Sequence, residues 1–250
     1  MSSAESKTIS TVLVVFAMEA EAAPFIARLG LTKNEASRLH GPAPCSSYSG
    51  VLGALSVHLV LSGKHAVHGV DNVGTIPAAL AAYLAVQAFT PDLVISAGTA
   101  GGFRSQGAAI GDIFISTSTM NHDRRIPLPM FDVYGVGCEA STPTEKLVAA
   151  LGLKQGVVSS GNSLDYTDKC MAIMVESQTA VKEMEAAAVA WVCSLSHTPF
   201  FCVKSITDIV DGERATTEEF LENLGSAAAS LQANLPKVLE FVAGKSVAQL

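Results

Sequence analysis

Four short polar segments follow apolar, strand-like runs of the sequence, and three of the four carry carboxylates. They are residues 18–21, 98–102, 182–185 and 205–208. In a mostly parallel α/β sheet, ligands bind where loops leave the carboxyl ends of the strands. One acidic residue at such a place is more simply explained as a charge that stabilises a helix N-terminus. Three such segments in one chain favour a catalytic site built on carboxylates.

Other catalytic motifs are missing from the sequence. There is no Gly-x-Ser-x-Gly nucleophile elbow, and the six histidines make no His-Glu-x-x-His pattern. His65 and His68 have no third ligand nearby, so a surface loop is the better interpretation of that pair. The glycines of residues 98–102 predict a turn between two strands. They lack the Lys-Ser/Thr ending of a phosphate-binding loop and the full dinucleotide fingerprint. We therefore expect acid–base chemistry with no metal and no cofactor.

Composition narrows the kind of ligand. The 250 residues include 23 acidic and 16 basic side chains, and a net charge of −7 argues against nucleic acid and against an anionic membrane surface. No apolar run approaches the roughly 20 residues that span a bilayer. Five cysteines in no metal-like spacing indicate free thiols, which suits a reducing, cytoplasmic location. The expected ligand is a small molecule, and residues 1–11 are predicted to be a disordered tip.

Strand-like and helix-like segments alternate along the chain, which predicts an α/β fold. We expect a single domain over residues 12–250, built as a three-layer α/β/α sandwich around a twisted, mixed central sheet. Capping boxes predict helix starts at Thr142, with Glu145, and at Thr216, with Glu219. Pro236 is predicted to kink or interrupt the last helix. The predicted strands are residues 12–17, 48–51, 55–61, 93–97, 112–119, 157–160 and 200–206, of which 48–51 and 55–61 are predicted to form a hairpin. The other predicted helices are about residues 20–29, 72–89 and 184–195.

Four motifs together resemble a known family. They are Phe-Ala-Met-Glu-Ala-Glu at 16–21, Ser-Ala-Gly-Thr-Ala-Gly-Gly at 96–102, Lys-Glu-Met-Glu-Ala at 182–186 and Thr-Asp-Ile-Val-Asp at 207–211. In this order and spacing they resemble the 5′-methylthioadenosine and S-adenosylhomocysteine nucleosidases of the nucleoside phosphorylase superfamily, most closely the plant type, over about residues 11–239. The resemblance implies a homodimer that hydrolyses the N-glycosidic bond of methylthioadenosine to adenine and methylthioribose, in methionine salvage. S-adenosylhomocysteine is a second candidate substrate.

The resemblance also implies roles for the acidic residues. Glu21 is expected to be the general base that activates water, and Asp208 the general acid that protonates adenine at N7. Asp208 must then be neutral before reaction, with a pKa raised by apolar surroundings. Glu185 is expected to accept hydrogen bonds from the ribose 2′- and 3′-hydroxyls, and Met184 to pack against the sugar and the alkylthio group. On a helix Glu183 and Glu185 would face almost opposite ways, so Glu183 is expected to contribute only a backbone contact.

Three further positions are assigned to substrate binding by the same resemblance. Thr99 is expected beside the sugar and its water, Leu164 against adenine, and Lys182 in the binding segment. A plain core leucine is an equal alternative for Leu164. The proline-stiffened segment 126–131 is expected to close the alkylthio pocket of a neighbouring subunit, to form a dimer contact, or both. Residues 64–71 are an addition relative to bacterial members and leave the fit of homocysteine open.

Two other functions fit parts of the same pattern. A phosphorylase of this superfamily would use phosphate in place of water, but the first loop carries Glu19 and Glu21 and no basic residue before Arg28. A catalytically silent storage or binding relative would keep the fold. Glu21 and Asp208 are both present, which favours an active hydrolase.

Overall fold

A computed structural model describes residues 7–39 and 41–250 of the chain. In these ranges, ten strands and seven helices mostly alternate. The strands are β1 (Thr11–Phe16), β2 (Thr32–Lys33), β3 (Ser46–Leu52), β4 (Leu55–Leu61), β5 (Leu93–Gly102), β6 (Ile113–Asn121), β7 (Glu139–Ala140), β8 (Lys154–Ser160), β9 (Thr179–Glu183) and β10 (Phe200–Ile209). The helices are α1 (Glu19–Leu29), α2 (Thr75–Phe89), α3 (Phe131–Val136), α4 (Glu145–Leu151), α5 (Asp168–Glu176), α6 (Ala186–Ser196) and α7 (Thr216–Val242).

The strands form one mixed sheet, and part of that sheet closes on itself. Strand β5 pairs with β10, followed in order by β6, β8 and β9. Strand β9 then returns to β5 through a short antiparallel contact. From β5 an open arm continues through β1, β4, β3 and β2. The α/β class and the mixed sheet are confirmed, whereas the expected three-layer sandwich is not, because a ring of five strands replaces part of the open sheet.

The surroundings of β1 explain why its residues 12–16 are all apolar. Val12, Val14 and Phe16 pack into one hydrophobic cluster, and Leu13 and Val15 pack into another on the opposite face. Successive side chains of a strand point to opposite faces, so a strand covered on both sides is apolar at every position. The same covering holds the strand ends, and the loops that leave them, in fixed positions.

Helices cover both faces of the sheet. Helices α2 and α6 pack together on one side, and their many alanines allow a close approach to each other and to the strands. Helices α1, α4 and α7 contribute to the cluster on the other side. No helix within the described ranges is long and apolar enough to cross a membrane.

The first described residues are packed against the end of the chain. Thr8 forms a bridge with Ser246, Ile9 is buried, and Lys7 pairs with Asp92 at 2.6 Å. The predicted disordered tip is therefore wrong for residues 7–11, since these contacts fix them in place. Residues 1–6 lie outside the described ranges. The assignment of residues 12–250 to a single domain stays a prediction.

The structure corrects the predicted helix starts. Helix α4 begins at Glu145 after Thr144, and the Thr142 hydroxyl instead accepts a hydrogen bond from the Phe200 N–H. Helix α7 begins at Thr216, but no side-chain cap precedes it and the carboxylate of Glu219 binds elsewhere. Helix α7 also continues past Pro236 to Val242, so this proline does not interrupt it.

Other differences concern segments with weak patterns. The predicted strands and the hairpin of β3 and β4 are present, but residues 98–102 continue β5 and do not form the expected turn. Helices α3 and α5 and strands β2, β7 and β9 were not predicted. Because Glu183 ends β9 and Ala186 begins α6, the expected helix from residue 184 starts two residues later.

Candidate active site

All eight predicted site residues line one cavity of about 270 Å³. The cavity lies over the carboxyl-terminal halves of β1, β5, β9 and β10, and the first turns of α1 and α7 close its sides. The predicted residues in its wall are Glu21, Thr99, Leu164, Lys182, Glu183, Met184, Glu185 and Asp208. This is the position at which α/β sheets commonly bind ligands.

Glu21 is buried in the first turn of α1 and is held by one residue of β5. The backbone N–H of Thr99 donates to Glu21 Oε1 at 2.7 Å, and the Thr99 hydroxyl donates to the same oxygen at 2.5 Å. A side chain on Gly98 would place its Cβ only 3.3 Å from Glu21 Oε2. Burial raises the pKa of Glu21, although the Thr99 hydrogen bonds and the charge of Lys204 act to lower it.

Asp208 lies on β10, the strand that pairs with this stretch of β5. Its Oδ1 lies 2.7 Å from the Thr207 hydroxyl, while Oδ2 is buried with no hydrogen-bond partner among the described residues. A Cβ on Gly101 would lie 2.7 Å from Oδ2, so glycine is needed at that position. Burial raises the pKa of Asp208, the direction predicted from the sequence; Thr207 and Lys182 oppose the shift, and the Glu219 carboxylate adds to it.

Glu21 and Asp208 are anchored at neighbouring positions of one strand. Glu21 binds Thr99, and Asp208 lies against Gly101, two residues further along β5. Both carboxyls line the same cavity. Hydrolysis of a sugar bond can use one carboxyl to activate water and a second to protonate the leaving group.

Glu183 and Glu185 do not share a helix, which corrects the geometry assumed from the sequence. Glu183 ends β9, and Glu185 is the residue that precedes α6. The Glu183 carboxylate accepts hydrogen bonds from Ser160 and from the N–H groups of Glu185 and Ala186. It also forms an ion pair with Lys204 at 3.0 Å. The carboxylate oxygens of Glu183 are thus already bound by groups of the protein itself.

Glu185 has few partners by comparison. Its carboxylate accepts one hydrogen bond, at 2.8 Å, from the backbone N–H of Gly74. Burial, and then the nearby negative charge of Glu183, raise the pKa of Glu185 to about 7. By contrast, the Lys204 ammonium and the hydrogen bonds outweigh burial and lower the pKa of Glu183. Of the two acids, Glu185 has the free acceptor capacity that a hydroxyl-bearing ligand requires.

Lys182 fixes the segment that carries Leu164. Its ammonium donates to the carbonyl oxygens of Ser163 at 3.2 Å and Leu164 at 2.7 Å. The side chain of Leu164 is 41 % exposed and lines the cavity, so the alternative of a plain core leucine is wrong. Burial lowers the pKa of Lys182, although Asp208 and Glu183 oppose that shift.

Lys204 was not predicted from the sequence. It lies in the middle of β10, only 2 % exposed, and its positive charge acts on Glu21, Glu183 and Glu185. The carboxylates around it raise its pKa even though burial acts in the opposite direction. A lysine directly after the apolar run of residues 200–203 was the available signal, because an unpaired buried charge is very costly. Thr207, Thr216 and Phe220 also line the cavity and were not predicted.

Two segments that were expected to shape the pocket do not line it in the single chain. Neither residues 64–71 nor residues 126–134 contribute to the cavity wall, which instead includes Ser62 and Val73. Lys64 pairs with Glu19 at 3.0 Å and with Asp71 at 3.3 Å, which ties the added loop to α1. The His65 and His68 rings stack on each other at 4.7 Å in that loop. Within the described residues, no cluster of His, Cys, Asp and Glu could hold a metal ion.

Comparison with known proteins places the chain in a family. Residues 11–240 match the family model described as the phosphorylase superfamily. A 5′-methylthioadenosine nucleosidase of Arabidopsis thaliana is 42% identical over 244 residues, covering 98% of this chain and 91% of the relative. The chain belongs to the methylthioadenosine nucleosidase family of the phosphorylase superfamily.

Other members of this nucleosidase family support the same placement. A 5′-methylthioadenosine/S-adenosylhomocysteine nucleosidase of Arabidopsis thaliana is 41% identical, covering 100% of this chain and 98% of the relative. The solved apo structure of Arabidopsis thaliana 5′-methylthioadenosine nucleosidase matches 98% of this chain and 100% of its own, with a TM-score of 0.95 and 42% identity. The fold of this chain is therefore that of a nucleosidase in this family.

Proposed function

We propose that the chain hydrolyses the N-glycosidic bond of 5′-methylthioadenosine to give adenine and 5-methylthioribose. The observation that carries the proposal is a pair of buried carboxyls, Glu21 and Asp208, held about two residues apart along β5 in one cavity. The names of the similar Arabidopsis proteins supply the substrate.

The two carboxyls divide the chemistry. Cleavage of the bond leaves an electron pair on adenine and positive charge on the sugar ring. Asp208, whose pKa is raised by burial, donates its proton to adenine N7 as the bond breaks. Glu21 accepts a proton from a water, which then adds to the anomeric carbon. The charge of Lys204 and the Thr99 hydrogen bonds favour the ionised form of Glu21 that this step requires.

The remaining residues bind the sugar and the base. Glu185 accepts hydrogen bonds from the ribose hydroxyls, and its charge lies near the sugar as that becomes cationic. Met184 packs against the sugar and the alkylthio group, where its polarizable sulfur suits a thioether. Leu164, fixed through Lys182, contacts adenine.

Water is a better co-substrate than phosphate in this cavity. Among the described residues that line it, the cations are Lys182 and Lys204. Lys182 donates to two backbone carbonyls, and Lys204 is paired with Glu183. A phosphate dianion would have to displace these contacts and lie close to Glu21 and Glu185, at a large electrostatic cost.

We also propose a homodimer that acts in methionine salvage in the cytoplasm. Met130, Val133 and Tyr134 are strongly exposed apolar side chains of the segment expected to reach a neighbouring subunit. Exposed apolar surface of this kind marks interaction sites. Five free thiols are compatible with a reducing compartment.

Adenine release in phosphate-free buffer tests the proposal directly. We expect the purified protein to convert methylthioadenosine to adenine and methylthioribose, with no rate increase when phosphate is added. A requirement for phosphate, or methylthioribose 1-phosphate as product, would instead identify a phosphorylase. Binding of methylthioadenosine without adenine release would identify a silent relative. S-adenosylhomocysteine, assayed in parallel, defines the substrate range.

A further inference from the structure

Strand β10 contains an irregularity directly before Asp208. Its pairing with β5 runs regularly to Ile206, opposite Ala100, and resumes at Asp208, opposite Gly101. Thr207 is therefore an extra residue in β10, as in a β-bulge. Bulges turn the following side chain and leave a backbone group without its ladder partner. The direction of the Asp208 side chain depends on what holds this bulge in place.

Helix α7 binds the backbone on both sides of Asp208. Asn223 Nδ2 donates to the carbonyl oxygen of Thr207 at 3.1 Å and to that of Glu219 at 2.9 Å. The Glu219 carboxylate accepts a hydrogen bond from the Ile209 N–H at 2.8 Å. Two side chains, one helical turn apart, thus satisfy the backbone groups immediately before and after the proposed general acid.

Glu219 differs from its neighbours in the first turns of α7. Glu218 and Glu222 are exposed, whereas Glu219 is buried. A buried carboxylate is costly unless it is hydrogen-bonded, and the Ile209 N–H supplies that bond. Phe220, which follows it, lines the cavity, so this part of α7 touches both the substrate space and the bulge.

We propose that Glu219 and Asn223 are positioning residues that hold the Thr207 bulge, so that the Asp208 carboxyl is aimed into the cavity. The proposal rests on the proposed function, in which Asp208 is the general acid. It assigns catalytic importance to two residues that do not touch the substrate. They act on the reaction through the backbone of β10.

The charges around Asp208 support the same assignment. Lys182 on β9 and the Thr207 hydroxyl favour its ionised form, whereas burial and the Glu219 carboxylate favour the neutral form. Arg214, half exposed, lies 4.0 Å from Glu219 and offsets its charge only in part. Glu219 therefore helps to keep Asp208 protonated as well as placed.

Three variants separate the effect of the Glu219 charge from the effect of holding the β10 backbone in position. Glu219→Gln keeps an oxygen for the Ile209 N–H but removes the charge, Glu219→Ala removes both, and Asn223→Ala removes only the amide. Glu218→Gln and Asn234→Ala are matched controls on the same helix; Glu218 is exposed, and the Asn234 amide bonds only within α7.

The expected results differ for each variant. Glu219→Ala and Asn223→Ala lower kcat about tenfold or more, a loss of roughly 1.4 kcal/mol, with KM changed less than kcat. In Glu219→Gln, the pKa of Asp208 falls, so the alkaline limb of kcat/KM moves to lower pH. Neither control changes kcat or the limb. In the Asp208→Asn background the same substitutions have little further effect, because they act through Asp208.

A titration that needs no substrate separates this proposal from the proposed function. The ¹³C carboxyl signal of Asp208, assigned with Asp208→Asn, is followed against pH in the wild-type protein and in Glu219→Gln and Asn223→Ala. A lower pKa in Glu219→Gln and an altered signal in Asn223→Ala support the proposal even if methylthioadenosine is not the substrate. An unchanged signal in both variants, with kcat equal to that of the controls, overturns it.

Discussion

At the scale of single residues, the proposed reaction needs two buried carboxyls in opposite states of protonation. Burial raises the pKa of both Glu21 and Asp208, so burial alone does not separate them. Their partners do. Glu21 accepts two hydrogen bonds from Thr99, whereas Asp208 accepts one from Thr207, its Oδ2 has no described partner, and the Glu219 carboxylate opposes the effect of Lys182 on it. In the proposed mechanism, one carboxyl therefore serves as the base and the other as the acid.

Substitution of either carboxyl should abolish most turnover. We expect Glu21→Gln and Asp208→Asn to fold and bind methylthioadenosine while losing at least about 100-fold in kcat, the usual contribution of a general acid or base. Single-turnover adenine release and calorimetric binding measure the two quantities separately. Turnover within tenfold of wild type in either variant would refute the role assigned to that residue.

The Thr99 hydroxyl should set the acid limb of the pH profile. It donates to Glu21 and lowers its pKa, so Thr99→Val should raise the pKa of Glu21. A base must be ionised to act; activity is present above its pKa and lost as pH falls through it, so the acid limb of kcat/KM should move to higher pH. The exposed Thr217→Val provides the control. A limb that stays in place would show that Glu21 is not the titrating base.

The ion pair of Lys204 and Glu183 should stabilise the folded protein as well as balance the charges in the cavity. Both side chains are almost fully buried, and Lys204→Met would leave Glu183 without its cation. We expect a loss of about 3–5 kcal/mol in the free energy of unfolding, typical of a broken buried pair. Lys154→Met removes a pair with Asp112 that is 44% exposed on the lysine side, and should cost at most about 1 kcal/mol. Urea unfolding compares them, and equal losses would contradict the prediction.

At the scale of elements, β5 places both carboxyls because it is rich in glycine. A Cβ at position 101 would lie 2.6 Å from Val210 and 2.7 Å from Asp208 Oδ2. Gly101→Ala should therefore displace Asp208, reduce kcat strongly and destabilise the fold by about 1–3 kcal/mol.

Gly225, inside α7, has open space around its Cβ position, so Gly225→Ala should stabilise the protein by about 0.5–1 kcal/mol. Thermal unfolding and adenine release test both, and a fully active Gly101→Ala would be contrary to expectation.

Elements with a strong local pattern could be predicted from the sequence. The apolar β1, the hairpin of β3 and β4, and α2 before Pro91 were found close to their observed bounds. The glycines at 98–102 were assigned to a turn because glycine weakens strands. Their strand conformation depends on pairing with β10 and on the side chains that fill the space above them, which are remote in sequence.

The site was predictable only in part for the same reason. Motif resemblance identified the eight residues that line the cavity, but not Lys204, whose importance depends on Glu183 lying beside it in space. The capping-box pattern of Thr216 and Glu219 misassigned Glu219, since its partner is the Ile209 N–H ten residues earlier. A capping-box pattern predicts hydrogen bonds between a side chain and nearby backbone groups. It does not predict a partner on another element, such as the Ile209 N–H.

At the scale of the whole molecule, the exposed segment around α3 should determine assembly. Met130 is 85% exposed and Val133 is 75% exposed, which is unusual for apolar side chains unless a partner covers them. We expect a dimer in solution by light scattering, and Val133→Asp should weaken it. Val175→Asp, at another exposed apolar position, is the control. A monomer in the wild type would remove the basis for a pocket completed by a neighbouring subunit.

The closed ring of strands has a consequence for hydrogen exchange. Strand β10 is bonded to β5 on one side and, around Lys204, to β6 on the other, whereas β2 lies at the end of the open arm with Thr32 and Lys33 exposed. Amides in the middle of β10 can exchange only when the ring itself opens, while those of β2 and β3 can exchange through local fraying. Slow-exchanging amides should therefore surround Lys204, and warming should loosen the distant arm well before it disturbs the strand that carries Asp208.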